Sequence, residues 1–250
     1  MKINLAVQLY SLRDGVQGDL YSLLKKVKNI GFDGVEFYDF FGIPAAEVKK
    51  MLCDLDLKSE GAHTAADLFR NDLSRVIEYN LELGTEYLIV PYESYGGKED
   101  YLKMAELCAA AGEKIKAAGM QMLYHNHGHE LTDVFDGRRG LDLIYENAPA
   151  GLLGCQMDVY WITYAGMNAV EYLRQYEGRC PTIHLKDMTD TGTHTFTEVG
   201  TGIVDIKGVL SEGLRQNSKW FVVEQDEIRM DLFDSVKISH DNIRRLAVTL

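Results

Sequence analysis

The chain has 250 residues, 46% of them hydrophobic and 26% charged, with a formal net charge of -12. This length suits one (β/α)8 barrel with a large core. So acidic a surface repels phosphate backbones, which excludes nucleic acid as the expected partner, and no apolar run reaches the roughly 20 residues of a membrane span. The four cysteines form no CxxC pair and the amino-terminal segment lacks the features of a signal peptide, so we expect a reduced, cytoplasmic protein.

Short apolar runs typical of buried strands alternate along the chain with segments of helical periodicity. The predicted strands are Ile3–Tyr10, Gly34–Tyr38, Leu57–His63, Tyr87–Pro91, Met120–His125, Leu152–Val159, Thr182–Lys186 and Trp220–Gln225. The predicted helices are Leu20–Ile30, Ala45–Leu55, Leu73–Leu83, Tyr101–Ala118, Leu141–Asn147, Ala169–Gln175, Ile206–Arg215 and Leu232–Leu246. Eight such units, about 30 residues each, predict an α/β fold of the (β/α)8 TIM barrel type.

Residues at the helix ends agree with these boundaries. Glycines that favour a left-handed helix end follow four of the helices, at Gly31, Gly84, Gly119 and Gly178. Asp19 and Asn168 are suited to begin the first and sixth helices as N-caps. No linker composition divides the chain, which predicts one domain over 1–250. An open doubly wound sheet is less favoured because no glycine-rich phosphate loop follows the first strand.

Polar and ionisable residues gather where the predicted strands end. They are Gln8, Glu36, His125-Asn126-His127, Asp158, His184-Leu185-Lys186-Asp187 and Glu224-Gln225-Asp226. The carboxyl ends of barrel strands meet on one face, where ligands bind. These His, Asp and Glu residues therefore predict a metal site and an enzyme, whose one divalent ion (Mn, Zn, Co, Fe or Mg) stays undetermined.

Strand alternation sorts these side chains by face. His125 and His127 lie two residues apart and point the same way, as do His184 and Lys186. A carboxylate such as Asp158 at the end of a nearly continuous apolar run needs a partner or a metal, or else caps the following helix. Asp187 points to the other face, where it supports the site or caps a helix.

The remaining candidates leave more than one interpretation open. Glu36 and His63 either line the pocket or are packed residues at the barrel rim, and Trp161 offers a flat face to a sugar ring or packs the barrel top. His129 and His194 are expected in loops and His240 in a helix, and none of the three is expected to take part in metal binding or catalysis.

Seven motifs, taken together and in order, resemble the sugar phosphate isomerase/epimerase family, which has a xylose-isomerase-like TIM barrel. The motifs are Val7-Gln8-Leu9-Tyr10-Ser11-Leu12-Arg13-Asp14, Gly34-Val35-Glu36-Phe37, Tyr124-His125-Asn126-His127, Asp158-Val159-Tyr160-Trp161, His184-Leu185-Lys186-Asp187, Glu198-Val199-Gly200-Thr201-Gly202-Ile203-Val204-Asp205 and Val223-Glu224-Gln225-Asp226. The resemblance spans essentially the whole chain, and it does not specify one substrate.

The resemblance implies a divalent metal held by Glu, Asp, His and Glu at the ends of strands five to eight. Asp158, His184 and Glu224 fit the last three positions, whereas His125 stands where the family often has glutamate. In relatives with two glutamates, one removes a proton beside a carbonyl and the other returns it through a metal-stabilised enediolate. Here Glu224 alone remains of that pair.

Several residues are candidates for the missing acid or base, namely His127, Glu130, His63 and Lys186. Lys186 is also suited to stabilise a developing enolate oxygen as a cation. Gln8, Glu36, Trp161 and Glu130 are the predicted substrate-binding residues.

The resemblance favours a metal-dependent isomerase or epimerase on a sugar or keto sugar. The change to His125 keeps open a lyase, a hydratase or a deglycosylating enzyme acting on a 3-keto sugar, and a non-catalytic sugar-binding barrel is a further alternative. An abasic-site endonuclease is disfavoured, since it requires a basic groove and more metal ligands. Scattered basic residues favour an unphosphorylated carbohydrate, and the exposed helices of such a barrel are compatible with a homo-oligomer.

Overall fold

A computed structural model describes residues 3–16 and 19–250, and their eight main strands close into a parallel barrel. The strands are β1 Asn4–Gln8, β2 Gly34–Phe37, β3 Lys58–His63, β4 Tyr87–Val90, β5 Gln121–His125, β6 Leu153–Asp158, β7 Thr182–Leu185 and β8 Trp220–Val223. Each strand pairs in parallel with the strands before and after it in the chain, and β8 pairs with β1. The prediction of a (β/α)8 barrel is confirmed.

Helices surround the barrel. They are α1 Leu20–Ile30, α2 Ala45–Asp54, α3 Ala66–Asn71, α4 Leu73–Leu83, α5 Lys98–Ala117, α6 His129–Thr132, α7 Gly140–Asn147, α8 Val159–Tyr164, α9 Ala169–Gln175, α10 Ile206–Arg215 and α11 Leu232–Val248. Two short hairpins pair Val134–Phe135 with Arg138–Arg139 and Asp187–Met188 with Phe196–Thr197. None of these described helices is both long and apolar enough to cross a membrane.

Most predicted boundaries lie within a few residues of the observed ones, and the exceptions have local causes. The first strand was predicted to reach Tyr10, which is wrong, because the Gln8 side chain accepts a hydrogen bond from the Tyr10 N–H and starts a 3-10 helix over Leu9–Gly15. The predicted caps are present, since Asp19 accepts from Ser22 N–H and Asn168 from Val170 N–H. The sequence did not predict α3, α6 and α8, which span only six, four and six residues.

The barrel interior changes from apolar to polar along its axis. An apolar cluster, separate from the larger core beneath the helices, fills the lower part of the barrel interior with Ala6, Tyr87, Ile89, Leu123, Trp220 and Val222. Two residues after Ala6, Leu123 and Val222, on the same face, come Gln8, His125 and Glu224. The apolar level therefore forms a floor beneath a polar level at the carboxyl ends of the strands, where barrel enzymes hold their active sites.

One irregularity adds a further polar residue. The register between β2 and β3 pairs Val35 with Ser59 and then Glu36 with Gly61, so Glu60 is an extra residue in a β-bulge. Its side chain is fully buried. The four cysteines are free, and all except Cys53 are buried, as the sequence indicated.

Candidate metal centre

The strand ends bring the predicted metal ligands together. One ligand atom from each of His125, Asp158, His184 and Glu224 lies within 4.8 Å of the others, and all four residues are buried. Imidazole nitrogen and carboxylate oxygen are suitable donors for zinc and for several other divalent ions. We call the polar level of the barrel the inner polar ring, and it comprises Gln8, Glu36, His63, His125, Gln156, His184 and Glu224.

His184 bridges two carboxylates of this ring. Its Nε2 lies 2.8 Å from Glu36 Oε1 and its Nδ1 lies 2.9 Å from Glu224 Oε2. Burial alone would lower the pKa of His184, but these two carboxylates raise it to about 10. In the metal-free protein the His184 side chain is therefore an imidazolium, with one proton toward each carboxylate.

Glu36 is the central acceptor of the ring. Its Oε1 accepts from Gln8 Nε2 at 2.7 Å and lies 2.9 Å from His63 Nε2, while its Oε2 accepts from Gln156 Nε2 at 2.5 Å. Burial opposes its ionisation, yet His63 and His184 hold the pKa of Glu36 well below its ordinary value. Glu36 is thus an ionised carboxylate, and its oxygens are engaged by side chains of the barrel.

His125 makes different contacts through its two ring nitrogens. Nδ1 lies 3.0 Å from Gln156 Oε1, and Nε2 lies 3.6 Å from Asp158 Oδ2. Burial, reinforced by the charge of His184, holds the pKa of His125 well below its ordinary value, so the ring is neutral.

Asp158 also divides its contacts between two oxygens. Oδ1 accepts from the Tyr160 and Trp161 N–H groups and so caps α8. Oδ2 lies 3.1 Å from Lys186 Nζ but is buried without a well-aligned hydrogen bond. Burial raises the pKa of Asp158 to about 6 despite the opposing Lys186 charge. The sequence left open whether Asp158 caps a helix or binds a metal. The two roles are compatible, because Oδ1 forms the cap and Oδ2 is the candidate metal ligand.

Lys186 lies among three carboxylates. Its Nζ is 2.8 Å from Glu224 Oε2, 3.0 Å from Asp226 Oδ1 and 3.1 Å from Asp158 Oδ2, and the side chain is only 1% exposed. Burial would lower the pKa of Lys186, but these carboxylates hold it well above its ordinary value. Lys186 and His184 in turn hold the pKa of Glu224 below its ordinary value, although burial acts in the opposite direction.

The net charge of the ionised site favours a divalent cation. When ionised, Glu36, Asp158, Glu224 and Asp226 contribute four negative charges, against one positive charge each on Lys186 and protonated His184. The balance is two negative charges in a buried site. Oδ2 of Asp158, which lacks a well-aligned hydrogen bond, faces Nε2 of the neutral His125, and their 3.6 Å separation is close to the ~3.4 Å expected between neighbouring ligands on one zinc-sized ion. The residues present therefore fit a divalent metal.

A cavity of about 510 Å³ opens above the candidate ligands. Its lining residues are Tyr10, Tyr38, His63, Ala65, Pro91, Tyr92, His125, His127, Glu224 and Asp226. The size is that of a small-molecule site. Asp226 is partly exposed to the cavity, and burial raises the pKa of its carboxyl despite the nearby Lys186. The sequence placed Asp226 in a polar cluster but gave it no role.

His127 also lines the cavity. It follows β5, whereas Asp226 follows β8, and it packs near the Trp161 ring at a centroid distance of 5.6 Å. Its Nδ1 is buried without a hydrogen bond, and burial together with the Lys186 charge lowers its pKa to about 3. Glu130, a predicted substrate ligand, is instead fully buried and accepts hydrogen bonds from the His127 backbone N–H and the Tyr124 hydroxyl. This arrangement holds the loop that carries His127.

The other predicted site residues lie around the ring. Gln8 and Glu36 are fully buried beneath the cavity, while Trp161 packs beside it with Lys186 Nζ 6.0 Å from its ring centroid. Asp187 accepts hydrogen bonds from the backbone N–H groups of Met188, Gly200, Gly202 and Val204. It thereby anchors the loop that contains Gly200 and Gly202.

The remaining histidines lie away from the candidate ligands. His129 was predicted to lie in a solvated loop, but it begins α6, is partly buried and contacts the Glu93 carbonyl oxygen. His194 is in the turn of a hairpin and His240 is in α11.

Sequence reasoning missed two buried residues of this centre. Gln156 lies two residues before Asp158, so strand alternation placed it on the same face, but it was interpreted as part of an apolar run. Glu60 was hidden by the bulge, which no sequence signal revealed. Burial and the neighbouring Glu36 carboxylate raise the pKa of Glu60 well above its ordinary value, so it is a neutral acid, and both of its carboxyl oxygens are buried without a hydrogen-bond partner.

Comparison with known proteins places this geometry in context. An inosose dehydratase of Clostridium perfringens is 28% identical over 91 residues, which are 36% of this chain and only 30% of that protein. A sugar phosphate isomerase/epimerase from Parabacteroides distasonis superposes with a TM-score of 0.85, 21% identity and coverage of 96% of this chain and 93% of the other. The IolI protein with a bound zinc atom gives a TM-score of 0.73 at 16% identity, covering 99% and 97% of the two chains.

The two structural likenesses show the fold. Residues 24–246, which are most of the chain, also match the family described as Xylose isomerase-like TIM barrel. The protein therefore belongs to the xylose isomerase-like TIM barrel family.

Proposed function

We propose that this protein is a divalent-metal-dependent isomerase or epimerase that acts on a sugar or keto sugar by removing a proton next to a carbonyl group. The observation that carries the proposal is the buried set of His125, Asp158, His184 and Glu224, with the Lys186 ammonium beside it and a cavity above it. When bound, the metal would act as a Lewis acid that polarises the carbonyl group.

The protein's own residues supply the remaining chemistry. Asp226 is the best-placed base, because its carboxylate lines the cavity, its pKa is raised and the candidate ligand set does not use it. Lys186 is only 1% exposed and does not line the cavity, so its fixed positive charge acts from beneath the cavity on negative charge that develops on the substrate oxygen. Glu224 is better suited to be a ligand than a base, since its lowered pKa makes it a weak proton acceptor.

The opposite wall of the cavity carries histidines. His63 and His127 line it, and epimerisation requires a proton to be returned from that side. His63 lies 2.9 Å from both Glu36 and Gln156, so it is connected to the ionised network below, whereas the low pKa of His127 suits a neutral group that orients substrate. We therefore assign the second acid/base role to His63 and the orienting role to His127.

The cavity favours an unphosphorylated substrate. Among the described residues that line it, aromatic rings, histidines and two carboxylates predominate, and no arginine or lysine is present. Arg13 lies nearby, but its guanidinium donates to the carbonyl oxygens of Tyr10 and Asp226. A phosphate group would lack the positively charged partners that usually bind it.

A dehydratase or lyase is the second candidate. Both carboxylates of the described cavity wall, Glu224 and Asp226, follow β8, so the candidate base Asp226 has no second carboxylate across the cavity from it. One-sided proton removal is sufficient for elimination, in which a leaving group departs from the neighbouring carbon. The curated relative described as an inosose dehydratase supports this alternative.

Two experiments test the proposal in order. Elemental analysis of the purified protein should give about one equivalent of a divalent metal, and the His184→Ala variant should lose it. The metal-loaded protein is then incubated with keto sugars in deuterium oxide. Deuterium entry beside the carbonyl with an epimeric or isomeric product supports the first candidate, and loss of water with formation of an unsaturated ketone supports the second. No metal uptake by the wild type refutes both.

A further inference from the structure

We infer that Gln156 is a positioning residue that fixes which nitrogen of His125 carries the proton, and thereby holds His125 Nε2 free to bind a metal. Gln156 is fully buried, and its amide contacts three members of the inner polar ring. The consequence for metal binding rests on the proposed function, but the choice of nitrogen follows from contacts in the metal-free protein.

The orientation of the Gln156 amide is determined by Glu36. One end of the amide lies 2.5 Å from Glu36 Oε2. The Glu36 carboxylate also accepts from Gln8 Nε2 at 2.7 Å and lies 2.8 Å from His184 Nε2, so it acts as an acceptor here and the group of Gln156 that faces it is the NH₂. The reverse orientation would bring two acceptor oxygens into contact in a buried site, which is strongly unfavourable.

The orientation of the amide in turn fixes the histidines. With its NH₂ toward Glu36, Gln156 presents Oε1 to His125 Nδ1 at 3.0 Å and to His63 Nε2 at 2.9 Å. Both of these nitrogens must carry a hydrogen to donate to that oxygen. The other nitrogen of the His125 ring, Nε2, lies 3.6 Å from Asp158 Oδ2, which is beyond hydrogen-bond distance, so Nε2 has no acceptor for a proton there and keeps a free lone pair.

That lone pair points to the proposed metal position. His125 Nε2 lies 3.6 Å from Asp158 Oδ2, and Asp158 Oδ2 is buried without a well-aligned hydrogen bond. Metal-bound histidines commonly donate their second N–H to a fixed acceptor, which sets the ring orientation. A glutamate ligand needs no such choice of nitrogen. Gln156 therefore meets a requirement that arises because His125 stands at this position.

Nuclear magnetic resonance of the ring nitrogens tests the inference without metal. In the metal-free wild type at pH 7, we expect His125 Nδ1 to be protonated and Nε2 to have the chemical shift of an unprotonated nitrogen. In Gln156→Met the acceptor is lost, and the proton should move to Nε2, which has Asp158 Oδ2 as its nearest acceptor. Gln8→Met is the matched control, since Gln8 is equally buried and its side chain hydrogen-bonds to Glu36 and Tyr10 rather than to His125. It should keep the wild-type His125 spectrum.

Metal titration provides the second measurement. Gln156→Met should bind the metal about 10- to 100-fold more weakly than wild type. A protonated Nε2 in the wild type, or an unchanged His125 spectrum in a folded Gln156→Met variant, would overturn the inference. If the spectra behave as expected but the wild type takes up no metal, the inference on Gln156 stands and the proposed function fails.

Discussion

Replacing Lys186 by methionine removes an ammonium group that contacts Asp158, Glu224 and Asp226 together. Methionine keeps most of the side-chain volume, so the main effect is electrostatic. Breaking a buried ion pair by removing one partner costs about 3–5 kcal/mol, and the 1% exposure of Lys186 leaves no reason to reduce that figure for solvent screening. We therefore expect the metal-free variant to be less stable by about this amount.

Differential scanning calorimetry in the presence of a chelator measures the loss. For a chain of this size, 1 kcal/mol changes the melting temperature by about 2–4 °C, so the expected decrease is about 6–20 °C. Lys219→Met is the control, because Lys219 pairs with Glu86 at the surface and is 53% exposed. Such a pair contributes less than about 1 kcal/mol. Saturating metal should recover part of the loss in Lys186→Met by supplying positive charge to the same carboxylates.

The pH dependence gives an internal check. Without Lys186, the pKa values of all three carboxyls rise, and those of Asp158 and Asp226 already lie above their ordinary values, so the folded variant takes up protons as the pH falls. The difference in stability from wild type should therefore shrink between pH 8 and pH 5. A Lys186→Met melting temperature within 2 °C of wild type at pH 8, with chelator present, would refute the view that Lys186 neutralises these carboxylates.

Three further predictions concern the neighbouring residues. Asp158→Asn keeps an oxygen to cap α8 but removes a ligand charge, so metal content measured by plasma mass spectrometry should drop while the helical circular dichroism remains; full metal content would argue against Asp158 as a ligand. Because a metal held by His184 would displace a proton from an imidazolium whose pKa is about 10, metal affinity should increase about tenfold per pH unit from pH 7 to 9. A flat profile in competition with a chromophoric chelator would contradict this. Glu60→Gln replaces a neutral acid by a neutral amide, so the free energy of unfolding at pH 7 should change by less than about 1.5 kcal/mol in urea titrations, whereas a larger loss would indicate that Glu60 is ionised.

The sequence predicted the barrel well because its signals are local and repeated. Apolar runs, helical periodicity and glycines after the helices each recur along the chain, and an error in one unit does not alter the fold. The short helices α3, α6 and α8 escaped prediction because fewer than two turns give no measurable periodicity. Of the three, α8 alone begins with a side-chain N-cap, which Asp158 provides.

The candidate site was predicted in its residue types but not in its connections. Strand ends identified His125, Asp158, His184 and Glu224 because residues at those ends converge in any parallel barrel. The contacts of Lys186 with three carboxylates depend on the side-chain conformations at the ends of β6, β7 and β8, which the predicted strand order does not specify. The bulge at Glu60 depends on strand register, and register is set by the packed barrel.

The metal-free centre already contains positive charges near the positions where a metal would be bound. The proton on His184 Nδ1 lies beside Glu224, and the Lys186 ammonium lies beside both Glu224 and Asp158. Metal binding would therefore exchange one form of positive charge for another among atoms that are already close together, and we expect little movement of the backbone. The same exchange weakens binding, since the metal must displace a proton from His184 and compete with Lys186 for its carboxylate ligands. An ion that binds histidine and carboxylate strongly is favoured under that competition, whereas Mg²⁺, which prefers oxygen ligands and retains water, is disfavoured.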